Sequence, residues 1–347
     1  MSFADKIQKF GRSEFVPDGW YWLLQSKDLK SGTAKPATFL DKNFVIYRGE
    51  DDVVRILDAY CPHMGAHLCD GAVEGNSIRC PFHFWKYNAQ GVCTDIPAQA
   101  DTKAVAKLNS YKCSEKYGLI WLWYGSPLDN EAVPVIPELQ KFELDSTLGK
   151  PFTKQCHPNV MMINAIDAHH FRSVHKLIVD LEMEPRILSP RCIQFSNTTA
   201  LPKKNFLLRW AARFYQKALT YELTYWWGHT GSVMVGPDFL HFYIIFALRP
   251  TTEGKAEGQT ILVTKKRAGL FGLVINPILL FLSKCVGNYF AKGDTIIFSR
   301  IKFNFQTPIK ADKPILKFID HYEQLSSTGF STHKDVKPWS PKEEMTL

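Results

Sequence analysis

"CPHMGAHLCDGAVEGNSIRCPFHFW", residues 61–85, sets Cys61 two positions before His63 and, sixteen residues later, Cys80 three positions before His83. Two thiols and two imidazoles this close together form a ligand set, because a disulfide has no use for histidine. Tetrahedral zinc accepts such a set. A two-iron, two-sulfur cluster accepts it too, with histidines in place of two cysteines on one iron. The spacing leaves both open, and the neighbours favour the cluster. Pro62 and Pro81 stiffen both loops by fixing φ. Gly65, Gly71, Gly75 and Gly91 allow tight turns close to inorganic sulfide. Backbone N–H groups in such turns donate to sulfur and tune its potential.

Outward from these loops the text reads as strands. "GWYWLL", "NFVIYR", "VVRILDAY" and "YGLIWLWYG" are rich in aromatic and β-branched residues, and "RGEDD" and "NAQG" supply turns. Several strands between Trp20 and Trp123 suggest a small antiparallel barrel or sandwich that presents the Cys/His pairs on loops. Pro127, Pro134 and Pro137 then mark a linker. The expected organisation is α+β: an N-terminal segment and all-β cluster domain over residues 1–126, then a larger α+β domain over 127–347 with an antiparallel sheet and helices. Within the second domain "VMMINAIDAHHFRSVHKL" reads as one helix. "LTYWWGHTGSVMVGPDFLHFYIIFALRP" reads as two strands around a Gly-Pro-Asp turn.

The chain has 347 residues, with 45% hydrophobic and 22% charged residues and a formal net charge of +8. Its cations are scattered, the tightest group being Lys265, Lys266 and Arg267. No nucleic-acid partner is expected from this pattern, and a basic face that docks an acidic protein fits it better. "MSFADKIQKF" carries no apolar run of the kind a secretory signal needs, and eight irregularly spaced cysteines make no disulfide framework. A reducing, cytoplasmic setting is expected. "GLFGLVINPILLFLSKCVGNYF", residues 269–290, is interrupted by Asn276, Pro277 and Lys284. A spanning helix needs about 20 apolar residues, so the expectation is a buried helix, with peripheral membrane contact as the alternative.

"CPHMGAHL", "CPFHFW" and the following "NAQGVCTDIPA" closely resemble the Rieske family. The resemblance implies that Cys61 and Cys80 hold one iron of a [2Fe-2S] cluster, and His63 and His83 the other. Phe84 departs from the pattern, since the family more often has glycine there. Ala66 and Phe82 stand where respiratory relatives carry bridging cysteines. No disulfide then braces the cluster, which places its potential toward the low end of the range.

"NAIDAHHFRSVH" resembles the Asn/Asp-x-x-Asp-x-x-His-x-x-x-x-His motif of the Rieske oxygenases, with Asn164, Asp167, His170 and His175 at the matching positions. The resemblance implies that His170 and His175 bind a mononuclear Fe(II). In an ideal α-helix residues five apart point about 140° away from each other. An irregular turn, such as a π-type widening, is therefore expected between them. Non-haem iron sites of this kind add one carboxylate. By its place in a late helix followed by apolar-aromatic text, "YFAKGDTIIFSRIKF", the family pattern assigns that role to Asp294. The resemblance further implies that Asp167 bridges to His83 of a neighbouring copy in a homotrimer.

The activity implied is C–H hydroxylation with O₂. The chain has no G-x-G-x-x-G fingerprint, so electrons are expected from a separate ferredoxin or flavin reductase. The small-molecule substrate is less defined. "CPFHFWKYN" and "MSFADKIQKFGRSEFVPDGWYWL" resemble cyanobacterial hydroxylases of saxitoxin-type guanidinium alkaloids. Carboxylates and aromatic faces would hold such a cation, making Asp238, Trp226 and Tyr225 the candidate contacts. The alternative is a steroid- or sterol-type monooxygenase or desaturase with a long apolar cavity. A non-enzymatic Rieske electron carrier is the distant alternative, because it would leave the second domain idle.

Overall fold

The computed structural model describes residues 7–98, 106–126, 132–176, 182–199, 219–236 and 240–330. They form two compact units. One holds Trp20–Val133 with residues 328–330, and the other holds residues 7–19 with Pro134–Ser327. The division thus falls a few residues after the expected boundary at 126/127. Residues 7–19 also differ from expectation by packing with the second unit. The cause is aromatic: Phe10 meets Phe303 at 5.4 Å, Tyr322 at 5.5 Å and Phe318 at 6.1 Å. The Glu323 carboxylate accepts the N–H groups of Lys9 and Phe10 at 3.0 and 2.8 Å.

The first unit is all-β. Its strands are β1 (Gly19–Gln25), β2 (Ala34–Phe39), β3 (Lys42–Arg48), β4 (Val54–Asp58), β5 (Ala72–Glu74), β6 (Ser77–Arg79), β7 (Lys86–Tyr87), β8 (Cys93–Asp95), β9 (Ser110–Tyr111), β10 (Cys113–Lys116) and β11 (Leu119–Tyr124). Among the described residues they make three antiparallel sheets, ordered β1-β11-β10, β2-β3-β4-β9 and β5-β6-β7-β8. β3 and β11 are nearly continuous apolar runs and supply the buried centre. The sheet of short strands, β5-β6-β7-β8, carries the ligand loops. One loop runs from β4 toward β5, the other from β6 to β7, and Val45, Leu57, Leu68, Ile78 and Tyr87 pack beneath them.

The second unit is α+β. An antiparallel sheet is ordered β12 (Leu144–Leu148), β19 (Ala256–Lys265), β18 (Phe242–Pro250), β17 (Thr230–Gly236), β16 (Leu219–Trp226), β15 (Cys192–Thr199), β14 (Glu184–Ser189), and β13 (Phe152–Lys154) also pairs with β19. Side chains alternate between faces along each strand. Tyr221, Leu223 and Tyr225 of β16 therefore share a face, continued by Val233 of β17 and Ile244 of β18 in the paired register. Helices α1 (Pro158–Asn164), α2 (Ala168–Ser173), α3 (Gly269–Phe298) and α4 (Lys313–Glu323) belong to this unit. The single helix expected over 160–177 is two, because Asp167 caps a new start. Its Oδ1 accepts the N–H groups of His169 and His170 at 2.8 and 3.2 Å.

Helix α3 corrects a second expectation. Leu270, Phe271, Leu273, Val274 and Phe281 are each 60–84% exposed, so the helix is not buried. Its inward positions are Gly272, Asn276, Leu279 and Ser283, spaced four, three and four apart. Hydropathy along a helix reports how much apolar surface exists, and says nothing about which side faces the sheet.

Candidate active site

The two loops of the first unit have the same backbone frame. The Cys61 N–H donates to the Ala66 carbonyl at 2.9 Å, and the Cys80 N–H donates to the Trp85 carbonyl at 2.9 Å. Position five of each loop has a positive φ, +77° at Gly65 and +64° at Phe84. Glycine takes that conformation freely, whereas a side chain there is strained. The Phe84 ring is held under the Arg79 guanidinium at 5.1 Å. The departure from the family pattern is therefore accommodated by a contact, and the loop keeps its shape.

The cysteines lie inside and the histidines outside. Cys61 and Cys80 are buried, while His63 and His83 are exposed with ring centroids 4.7 Å apart. His63 stacks flat on Trp85 at 4.3 Å. Burial pushes the Cys61 thiol up, and Cys80 adds to the effect. The Tyr87 hydroxyl, 3.1 Å from Cys61 Sγ, and the His63 N–H pull it down. Two buried sulfurs, that of Cys61 with donors aimed at it, suit thiolates beside a cationic centre. The four side chains could therefore hold a [2Fe-2S] cluster with its histidine-bound iron toward solvent. The eight cysteines are unbridged among the described residues.

In the second unit the structure brings together His170, His175 and Asp294. His170 Nε2 lies 2.9 Å and His175 Nε2 3.2 Å from Asp294 Oδ1, and the two imidazole nitrogens are 3.0 Å apart. Bonds of about 2.1 Å at right angles place adjacent ligand atoms about 3 Å apart, so the three atoms fit one face of an octahedral ion. Asp294 Oδ1 is buried yet aligned for a hydrogen bond to neither imidazole. An ion is the partner that satisfies three convergent atoms at once. Burial depresses the His175 pKa, and His170 adds to that against the opposing pull of Asp294, which keeps a neutral imidazole available as a ligand.

The local backbone explains the convergence. α2 ends at Ser173, Val174 is the C-cap, and Lys176 has φ +53°. His175 lies just past the helix end, so the irregular turn takes the form of a termination and no π-type widening is needed. Asp294 sits inside α3, four residues before its last residue, Phe298. Asn164 reaches the same point from the end of α1, with Nδ2 2.9 Å from His170 Nε2. His169 is exposed and projects elsewhere.

Sequence reasoning missed several contributors. At Gly293 the α3 backbone packs close against the turn that carries His175: a Cβ there would lie 2.7 Å from Val174 Cγ1 and 3.4 Å from His175 Cε1. Its signal was a glycine beside the aspartate in a helical run. Phe171, Tyr221, Tyr289 and Phe290 form an aromatic wall, with His175–Phe290 at 5.1 Å and Phe171–Tyr221 at 5.5 Å. Of the expected substrate contacts, Tyr225 is buried in the core and its hydroxyl donates to the Met162 carbonyl at 2.8 Å. It packs on Phe318 of α4, so it is committed to structure. Trp226, the next residue on β16, is half-buried. Asp238 lies outside the described residues.

Residues 19–112 match the Rieske [2Fe-2S] domain family. The chain is 28% identical over 352 aligned positions to cholesterol 7-desaturase nvd of Drosophila melanogaster, covering 92% of this chain and 77% of that protein. It is 29% identical over 163 residues to the oxygenase component of a 3-ketosteroid-9-alpha-monooxygenase of Rhodococcus rhodochrous, covering 45% of this chain and 43% of that protein. Dicamba monooxygenase bound to 3,6-dichlorosalicylic acid superposes with a TM-score of 0.65 at 20% identity, over 89% of this chain and 97% of that one. That likeness establishes the shared fold.

Proposed function

We propose that this chain, a Rieske-type non-haem iron oxygenase working with a [2Fe-2S] cluster, a mononuclear iron and O₂, oxidises a ring C–H bond of a sterol or steroid. The observation that carries the substrate class is the similarity to cholesterol 7-desaturase along nearly the whole chain, second unit included. The aromatic wall beside His175 supports it, since an apolar lining suits a polycyclic hydrocarbon. The guanidinium-alkaloid reading has less support. Tyr225 is occupied by core contacts, and the Asp167 carboxylate beside the ligands is taken up by the N–H groups of His169 and His170.

In this proposal Cys61, Cys80, His63 and His83 hold the cluster, and His170, His175 and Asp294 hold the iron. When bound, the two groups supply one-electron transfer and reduction of O₂. The protein's part is positional. Asp294 and the neutral imidazoles occupy one side of the site and leave the other for O₂ and substrate. Phe171, Tyr221 and Phe290 exclude water from it. Hydroxylation consumes O₂, two electrons and two protons and yields one water. Desaturation consumes the same and yields two waters. Both need an outside donor, and the relative named as an oxygenase component supports a separate reductase or ferredoxin. Transfer from exposed His83 of one copy to Asp167 of the next in a homotrimer belongs to the same proposal, and light scattering of the native assembly checks it.

The test is reconstitution with a ferredoxin, its reductase and NADH, followed by mass spectrometry on sterols, 3-ketosteroids and saxitoxin-like alkaloids. Gain of one oxygen or loss of two hydrogens on a sterol or steroid supports the reading. Turnover of the alkaloids alone would sink it.

A further inference from the structure

Helix α3 is amphipathic in the wrong sense for water. Its inward side carries Gly272, Asn276, Leu279 and Ser283, with the Asn276 amide donating to Asp145 at 2.5 Å and Ser283 Oγ donating to the Leu279 carbonyl at 2.9 Å. Its outward side carries Leu270, Phe271, Leu273, Val274, Ile278 and Phe281, all exposed. This apolar stripe runs unbroken for about 18 Å at about 1.5 Å per residue. Apolar residues scattered over a surface need no explanation, but a contiguous stripe marks an interaction face.

Charge identifies the occupant. Lys265, Lys266 and Arg267 precede the stripe, exposed Lys284 follows it, and no carboxylate occurs between Gly269 and Gly293. Lys265 and Lys266 each pair with one carboxylate, Glu138 at 3.7 Å and Glu143 at 3.1 Å, so the charge left over at the two ends of the stripe is that of Arg267 and Lys284. A second copy docked antiparallel on this face would set cations against cations. An anionic bilayer complements both the stripe and its flanks.

We propose that the outward face of α3 docks this enzyme on an anionic bilayer surface, with Phe271, Leu273, Val274 and Phe281 entering the acyl boundary and the flanking Arg267 and Lys284 at the headgroups. The helix is long and apolar enough to cross a membrane, but here it lies along the surface. Asn276 is tied to Asp145, Gly287 packs close to Ile244 of β18, and Asp294 must stay with His170 and His175. The proposal stands apart from the substrate reading, since the face exists whatever the substrate.

The experiment is flotation of the full iron-loaded chain with vesicles of phosphatidylcholine alone and of phosphatidylcholine with phosphatidylserine. The native chain is expected to float with the mixed vesicles at least tenfold more tightly than with the neutral ones, and binding should weaken severalfold at high salt. Leu273→Glu combined with Phe281→Glu should lower binding at least tenfold while iron content stays unchanged. If that variant fails to fold, Phe281→Trp replaces it: its fluorescence should shift to the blue only when the mixed vesicles are present. No binding to either vesicle, or a native oligomer that the Leu273→Glu/Phe281→Glu variant dissociates, would overturn the proposal.

Discussion

Replacing Gly293 with alanine sets two physical effects against each other. Helix propensity alone favours the change: alanine inside a helix is more stable than glycine by about 0.8–1.0 kcal/mol. Geometry opposes it. The added Cβ would lie 2.7 Å from Val174 Cγ1 and 3.4 Å from His175 Cε1. Carbon atoms sit best about 3.5–4.0 Å apart, so α3 or the 174–175 turn must retreat by about 1 Å. Val174 is β-branched and cannot swing aside freely. The three ligand atoms are 2.9–3.2 Å apart, and metal sites tolerate only about 0.2 Å of displacement. Gly293→Ala is therefore expected to weaken mononuclear iron binding about 10–100-fold, the range usual for disturbing the support of a ligand. The cluster, held by the other unit, should keep its visible absorption. The assay is anaerobic Fe(II) titration of the cluster-loaded protein, with thermal unfolding alongside. A variant that binds iron as tightly as the native chain, and unfolds about 1 kcal/mol harder, would refute the reasoning.

Two further outcomes follow from named residues. Phe84→Gly removes a left-handed strain worth about 1 kcal/mol and forfeits an exposed Arg79–ring contact worth about 0.5 kcal/mol, so the first unit should melt slightly higher; a clear fall in melting temperature would contradict the strain argument. Burial lowers the His157 pKa from the ordinary 6.5 to about 4. Below pH 6.5 the unfolded chain takes up a proton that the folded chain refuses, so this contribution is full above 6.5 and lost as pH falls toward 4, by at most about 3 kcal/mol. Denaturant titrations across that range should show the slope in the native protein and a shallower one in His157→Gln.

The cluster loops could be read in the sequence because ligation demands particular residue types at short spacing, and both pairs lie within a single 25-residue stretch. His170 and His175 were similarly local. Asp294 was not, since only its place in a late helix singled it out among many carboxylates. The break between α1 and α2 was hidden because Asn164 to His175 is apolar and polar at nearly helical spacing throughout, and the decisive fact is that Asp167 spends its carboxylate on two N–H groups. Phe10 could not be assigned to the second unit, because its partners Phe303, Phe318 and Tyr322 lie nearly the full chain away. A shorter but still non-local separation hid Gly293, whose meaning depends on Val174 lying opposite. The facing of α3 escaped for another reason: its inward residues are small and polar, and its outward ones are large and apolar.

The central claim is that His170, His175 and Asp294 converge on one ion, served by a separate iron–sulfur pair. Anomalous diffraction at the iron edge from crystals of the reconstituted protein addresses it directly. The account predicts one isolated iron among the three side chains and a close pair between the loops of residues 61–66 and 80–85. Density for the pair alone, with the three side chains hydrogen-bonded to each other or to water, would contradict it.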